Sequence, residues 1–154
     1  MSEKLFYAIR SEDLVSVKEI LKKDPLLIHT KDQRGSTPLL LATYYGHEAI
    51  TEFLLSLNPE LDEMDGSGNT ALMGVCFKGH EEIARKLTEA GANVNIVNSM
   101  GATALIFAAM FNRPNLVKLL LDNGADKSLK DNRGMTALQH AESQGFKEIE
   151  ELLK

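Results

Sequence analysis

The sequence predicts an all-α solenoid of stacked helix-turn-helix units, and three observations carry that prediction. Several residue columns recur at one fixed spacing, each copy holds two short helical patterns split near a glycine, and neither helix alone can bury its apolar face. The spacing is set by Gly35, Gly68, Gly101 and Gly134, each 33 residues after the last. Thr37, Thr70, Thr103 and Thr136 follow in step, then Leu39, Leu72, Leu105 and Leu138. Ile50, Ile83, Leu116 and Ile149, with Leu54, Leu87, Leu120 and Leu153, complete the frame.

Residues 1–31 lack the glycine and threonine columns but keep the apolar register, because Val17, Ile20 and Leu21 align with Ile50, Phe53 and Leu54. They read as a degenerate N-terminal capping repeat. In the second copy, 32–64, Thr37 is suited to cap a helix, Pro38 to its first position, and Leu39, Ala42 and Thr43 give a helical face that stops at Gly46. A second helix runs from His47 and ends near Asn58-Pro59. The third and fourth copies, 65–97 and 98–130, end instead on Gly91-Ala92 and Gly124-Ala125. Gly74 lies inside a short helix, where glycine costs roughly 1 kcal/mol relative to alanine, so the third copy is expected to be the loosest. Residues 131–154 form the C-terminal capping repeat, whose last helix sets Ile149, Leu152 and Leu153 against a charged face. The array is expected to be complete with about five repeats.

The segments "DQRGSTPLLLATYYGHEAITEFLL", "DGSGNTALMGVCFKGHEEIARKLTEAGANVN", "NSMGATALIFAAMFNRPNLVKLLLDNGAD" and "DNRGMTALQHAESQGFKEIEELL" together resemble the ankyrin repeat family. The likeness covers nearly the whole chain. It implies an ankyrin-repeat solenoid in which projecting β-turn fingers join the helical units. The sequence departs from the family at its "TPLH" motif, where Leu40, Met73, Ile106 and Gln139 stand in place of the histidine. Apolar packing through the first three is expected to replace the family's inter-repeat hydrogen-bond network.

Composition excludes several function classes. The 154 residues are 44% hydrophobic and 25% charged, with no apolar run of membrane-spanning length and no export signal, so a cytoplasmic monomer is expected. Seventeen basic and 22 acidic residues give a net charge of −5 without any basic cluster, which argues against nucleic acid as a partner. Cys76 is the only cysteine and is expected to be a small core or groove residue. No cofactor is expected.

Candidate chemistry is sparse. His47 and His80 follow Gly46 and Gly79 one period apart, which offers either a metal-binding pair or two structural residues bonding across the loop. Arg113 and Phe146 occupy the same position in the next copies, which favours the structural role. His29 and His140 show no acidic or histidine neighbour at ligand spacing. The glycines at the fingertips are turn glycines that need a positive φ and do not form a phosphate loop. Glu81-Glu82 and Glu150-Glu151 fall on outer helices and are expected to face water. No catalytic constellation assembles.

The resemblance directs attention to the concave face, which in that family is lined by the fingertips and the last residues of each inner helix and receives protein partners. Here those positions hold Tyr44, Tyr45, Phe77, Lys78, Met110 and Phe111 from the helices, and Arg34, Met100, Arg133 and Met135 from the fingers. Aromatic residues concentrate there as they do at binding hot spots. They either face the groove or fold inward to complete the core, with Tyr44, Phe77 and Met110 expected to be the exposed ones. A protein-binding module is the leading function. A regulatory or inhibitory subunit of an enzyme is the alternative, and a histidine-based metal protein or enzyme is the remote one.

Overall fold

The computed structural model describes residues 2–154 and contains ten α-helices in two rows. The inner row is α1 (Ser2–Arg10), α3 (Pro38–Tyr44), α5 (Ala71–Lys78), α7 (Ala104–Met110) and α9 (Ala137–Gln144). The outer row is α2 (Leu14–Lys23), α4 (Glu48–Ser56), α6 (Glu81–Glu89), α8 (Pro114–Asp122) and α10 (Lys147–Leu153). A short 3-10 turn, Pro25–His29, follows α2. Each inner helix packs on the next inner helix and on its own outer partner, and the outer helices stack likewise. No strand occurs among the described residues.

The repeated columns explain the stacking. Leu39, Leu72 and Leu105, with Ile50, Ile83, Leu116 and Ile149, are all buried, and so are Leu54, Leu87, Leu120 and Leu153. A buried leucine side chain contributes about 1.5–3 kcal/mol only when a neighbour covers it, so each short helix pair depends on the next. The inner helices α3, α5, α7 and α9 each start on their column threonine. The hydroxyl oxygens of Thr37, Thr70, Thr103 and Thr136 accept from the backbone N–H three residues on, at 3.2–3.3 Å. Leu40, Met73 and Ile106 are buried at the position where the family motif carries histidine. Gln139, exposed in the same column, instead returns its side chain to accept from Thr136 N–H at 2.9 Å, completing a capping box.

The fingers follow one hydrogen-bond plan. Asp32, Asp65, Asn98 and Asp131 each present Oδ1 to the backbone N–H groups two and four residues ahead, at 2.9–3.1 Å. The glycine N–H three residues on closes the turn onto the same residue's carbonyl. Neighbouring fingers are then joined by one main-chain bond each: Gly66 N–H to Arg34 O at 3.0 Å, Ser99 N–H to Ser67 O at 3.1 Å, and Asn132 N–H to Met100 O at 2.9 Å.

Three expectations change. α3 ends at Tyr44, with Tyr45 as its cap, so Gly46 lies just beyond the helix and His47 caps α4 without starting it. Glu150 does not face water but is 93% buried, at 7% exposure. Its position repeats Thr51, Ala84 and Val117, all buried, so the register turns it inward next to Lys147 Nζ at 3.5 Å. His140 does have an acidic neighbour. Its Nε2 lies 2.7 Å from Asp131 Oδ2, because the finger folds back over α9 and brings together residues nine apart.

Candidate functional site

The residues at positions 80 and 113 fix the ends of α3 and α5 and thereby the ring-bearing residues next to them. His80 Nε2 lies 3.0 Å from Tyr44 O, and Arg113 Nη2 donates to Phe77 O at 3.0 Å. Each side chain therefore engages an unpaired carbonyl at the C-terminus of the preceding repeat's inner helix, where the Arg113 cation also suits the helix dipole. Gly79, one residue before His80, leaves room for the Arg113 contact. Its φ is +88°, and a Cβ there would stand 2.9 Å from Arg113 Cζ. His47 differs from His80, with Nδ1 3.4 Å from Glu12 Oε2. The two histidines thus reach different partners, and no three metal-capable side chains converge among the described residues.

The held ends carry a run of rings across three repeats. Tyr45 meets Tyr44 edge-on at 5.5 Å, and Tyr44 lies near-parallel to Phe77 at 6.5 Å and 10°. Phe77 meets Phe111 edge-on at 4.7 Å, and Phe111 lies near-parallel to Phe107 at 6.2 Å. Such pairs are worth about 0.5–1.5 kcal/mol beyond burial and hold one another in place. Tyr44 is 38% exposed, Tyr45 45%, Phe77 38% and Phe111 36%. The rings therefore pack sideways on each other while keeping a face toward solvent. Lys78 Nζ sits 5.2 Å from the Tyr44 ring centre, within cation–π range.

Met110 is the exception among the expected exposed positions. It is half-buried and packs on the core, while Phe111, one residue later, takes the place beside Phe77. A flexible thioether fills the irregular gap beneath, and the rigid ring gains the edge contact above. On the fingers, Arg34 and Arg133 are exposed, Met100 is 61% exposed, and Met135 is half-buried. Arg34 and the Tyr44–Phe77 pair line one concave groove of about 990 Å³ toward the N-terminal half. Met100, Arg133 and Met135 lie outside its lining, along the later fingers.

The groove also includes residues that sequence reasoning did not single out as contacts, namely Arg10, Leu41, Gly74 and Phe107. The last three share one column of the repeat, a signal present in the sequence. Cys76 lies in the core, where burial pushes its thiol up to about 12 despite the nearby Arg113 charge, so it stays protonated and unreactive. Burial raises the Asp131 carboxyl, but His140 and the N–H groups of Met135 and Arg133 outweigh that and hold it below the usual carboxylate value. This pair braces the last finger against α9. Among the described residues no helix is long and apolar enough to cross a membrane.

The architecture agrees with comparisons to known proteins. A family model described as ankyrin repeats in three copies matches residues 5–98 and 90–154. The mouse (Mus musculus) protein Ankyrin repeat and SAM domain-containing protein 6 is 34% identical over 61 residues. That match covers 40% of this chain and 7% of the mouse protein, so the chain spans only a small part of that relative. With the family model spanning nearly all of its length and the helix pairs stacked at the expected period, the chain belongs to the ankyrin repeat family.

Proposed function

We propose that this chain is a non-catalytic, monomeric cytoplasmic module that docks a protein partner on its concave face. Ankyrin repeats are in general protein–protein interaction modules and generally non-catalytic. The observation that carries the finer reading is the run of rings from Tyr45 through Tyr44 and Phe77 to Phe111, each more than a third exposed on a hydrogen-bonded frame. Contiguous exposed apolar surface on a soluble fold marks interaction sites, and aromatic anchors supply most of the binding energy at such interfaces. Because neighbouring rings and Lys78 already restrain these side chains, little ordering is left to be lost on association.

The test is affinity purification from the native cell followed by mass spectrometry, with wild type and a Tyr45→Ala, Phe77→Ala, Phe111→Ala variant as parallel baits. A partner retained by wild type and lost from the triple variant, with the variant's helical circular dichroism intact, supports the reading. Equal capture by both would remove the groove from the interaction.

A further inference from the structure

Leu41, Gly74 and Phe107, each four residues past its capping threonine, line the concave groove, and this column is unevenly filled. Leu41 is buried and Phe107 is half-buried, but Gly74 carries no side chain. A Cβ built on Gly74 would meet only Tyr44 Cδ1, at 3.4 Å, and otherwise open space. The missing side chain leaves a notch in the groove floor, with Tyr44, Phe77 and Phe107 among the groove's lining. An apolar side chain from outside would bury its surface there.

The polar groups around the notch are unevenly matched. Arg10 and Arg34 line the groove and Lys78 leans over Tyr44, and none of the three has a carboxylate within ion-pairing distance among the described residues. Lys31 is already matched by Glu63 at 3.2 Å. The groove's carboxylates are engaged differently, since Asp32 and Asp65 each accept at Oδ1 from two finger N–H groups. That leaves Glu3 as the remaining acid in the lining. Three cations, Arg10, Arg34 and Lys78, thus stand at the groove without an ion-pair partner among the described residues, although the whole chain is acidic at −5. Many of those acids lie on the outer row, including Glu48, Glu52, Glu81, Glu82, Glu148 and Glu151.

We propose that this half of the groove takes an extended acidic segment of a partner protein, with one apolar side chain of that segment seated over Gly74 and flanking carboxylates on Arg34, Arg10 and Lys78. The proposal rests on the reading of the concave face as the partner-binding face. A polyphosphate chain suits the site less well, because a few cations on an anionic body cannot offset its repulsion, and the apolar notch gives a phosphate nothing.

The test starts with a random-peptide phage library panned on the full chain. Enriched sequences are made as labelled peptides and measured by fluorescence anisotropy. The expected result is enrichment of peptides with Asp or Glu beside a Leu, Met or aromatic residue. Gly74→Leu, which restores the residue type of Leu41, should weaken the peptide at least about tenfold while melting no lower than wild type. An Arg34→Glu, Lys78→Glu surface variant should weaken it by about tenfold, and added salt should shrink that difference. Failure of the library to enrich, enrichment of peptides without acids, indifference to Gly74→Leu in the folded variant, or equal competition by a single-stranded oligonucleotide would each overturn the proposal. Acid-free peptides that still lose binding to the Tyr45, Phe77 and Phe111 triple variant would leave the groove reading standing. Peptides indifferent to that variant would take both down.

Discussion

Helices α5 and α7 share a capping threonine, a buried leucine and a buried third residue: Thr70, Leu72 and Met73 in one, Thr103, Leu105 and Ile106 in the other. Four residues past the threonine they part, with Gly74 in α5 and Phe107 in α7. The shared positions lie between helices, where neighbouring units must interlock, and the differing position lies on the open groove. The comparison teaches that the frame constrains what stacks and leaves free what a partner would touch.

The strongest way to break that comparison is to cut the shared frame in both helices. Leu72→Ala and Leu105→Ala should each lower unfolding free energy by about 3 kcal/mol, since both side chains are fully buried and leave cavities. Urea denaturation giving losses that differ by more than about 2 kcal/mol would mean that the two copies are not equivalent. A smaller loss, about 2 kcal/mol, is expected for Gly79→Ala. It forces alanine to a φ of +88° and displaces the Arg113 guanidinium from Phe77 O. Arg113→Ala in that background should then add little, and full additivity would show that the two residues act independently. The smallest effect sharpens the contrast. Gly74→Ala should raise stability by up to about 1 kcal/mol, or about 2–4 °C in Tm, because Gly74 lies within α5 and meets only the edge of Tyr44. An unchanged or lower Tm would mean that Tyr44 needs the space.

Much of the fold was legible because its period is written in residues that bury or cap. The threonines, leucines and isoleucines each do one job, and that job repeats. Contacts that cross from one unit to another were less legible. The His140–Asp131 pair needs a finger to fold back onto a helix, and His80 reaches a carbonyl 36 positions away. Glu150 could have been placed by its register with Thr51, Ala84 and Val117, but its charge argued for the surface. At the groove, the aromatic positions could be named from the resemblance, whereas the exchange of Met110 for Phe111 depends on ring packing against Phe77. Gly74 was visible as a weak point in a helix. That it opens a notch follows only once its surroundings are seen to hold nothing nearer than Tyr44.

The single main-chain bonds that tie each fingertip to the next have a mechanical consequence. The row Arg34–Gly66, Ser67–Ser99 and Met100–Asn132 forms a tied edge, which Asn98 Nδ2 reinforces by donating to Asn69 Oδ1 at 2.8 Å and Asn132 Nδ2 by donating to Ser99 O at 3.1 Å. An edge so tied would keep its length while bending spreads or closes the helices behind it like the leaves of a fan. A long guest would therefore meet evenly pitched fingertips whatever the curvature behind them.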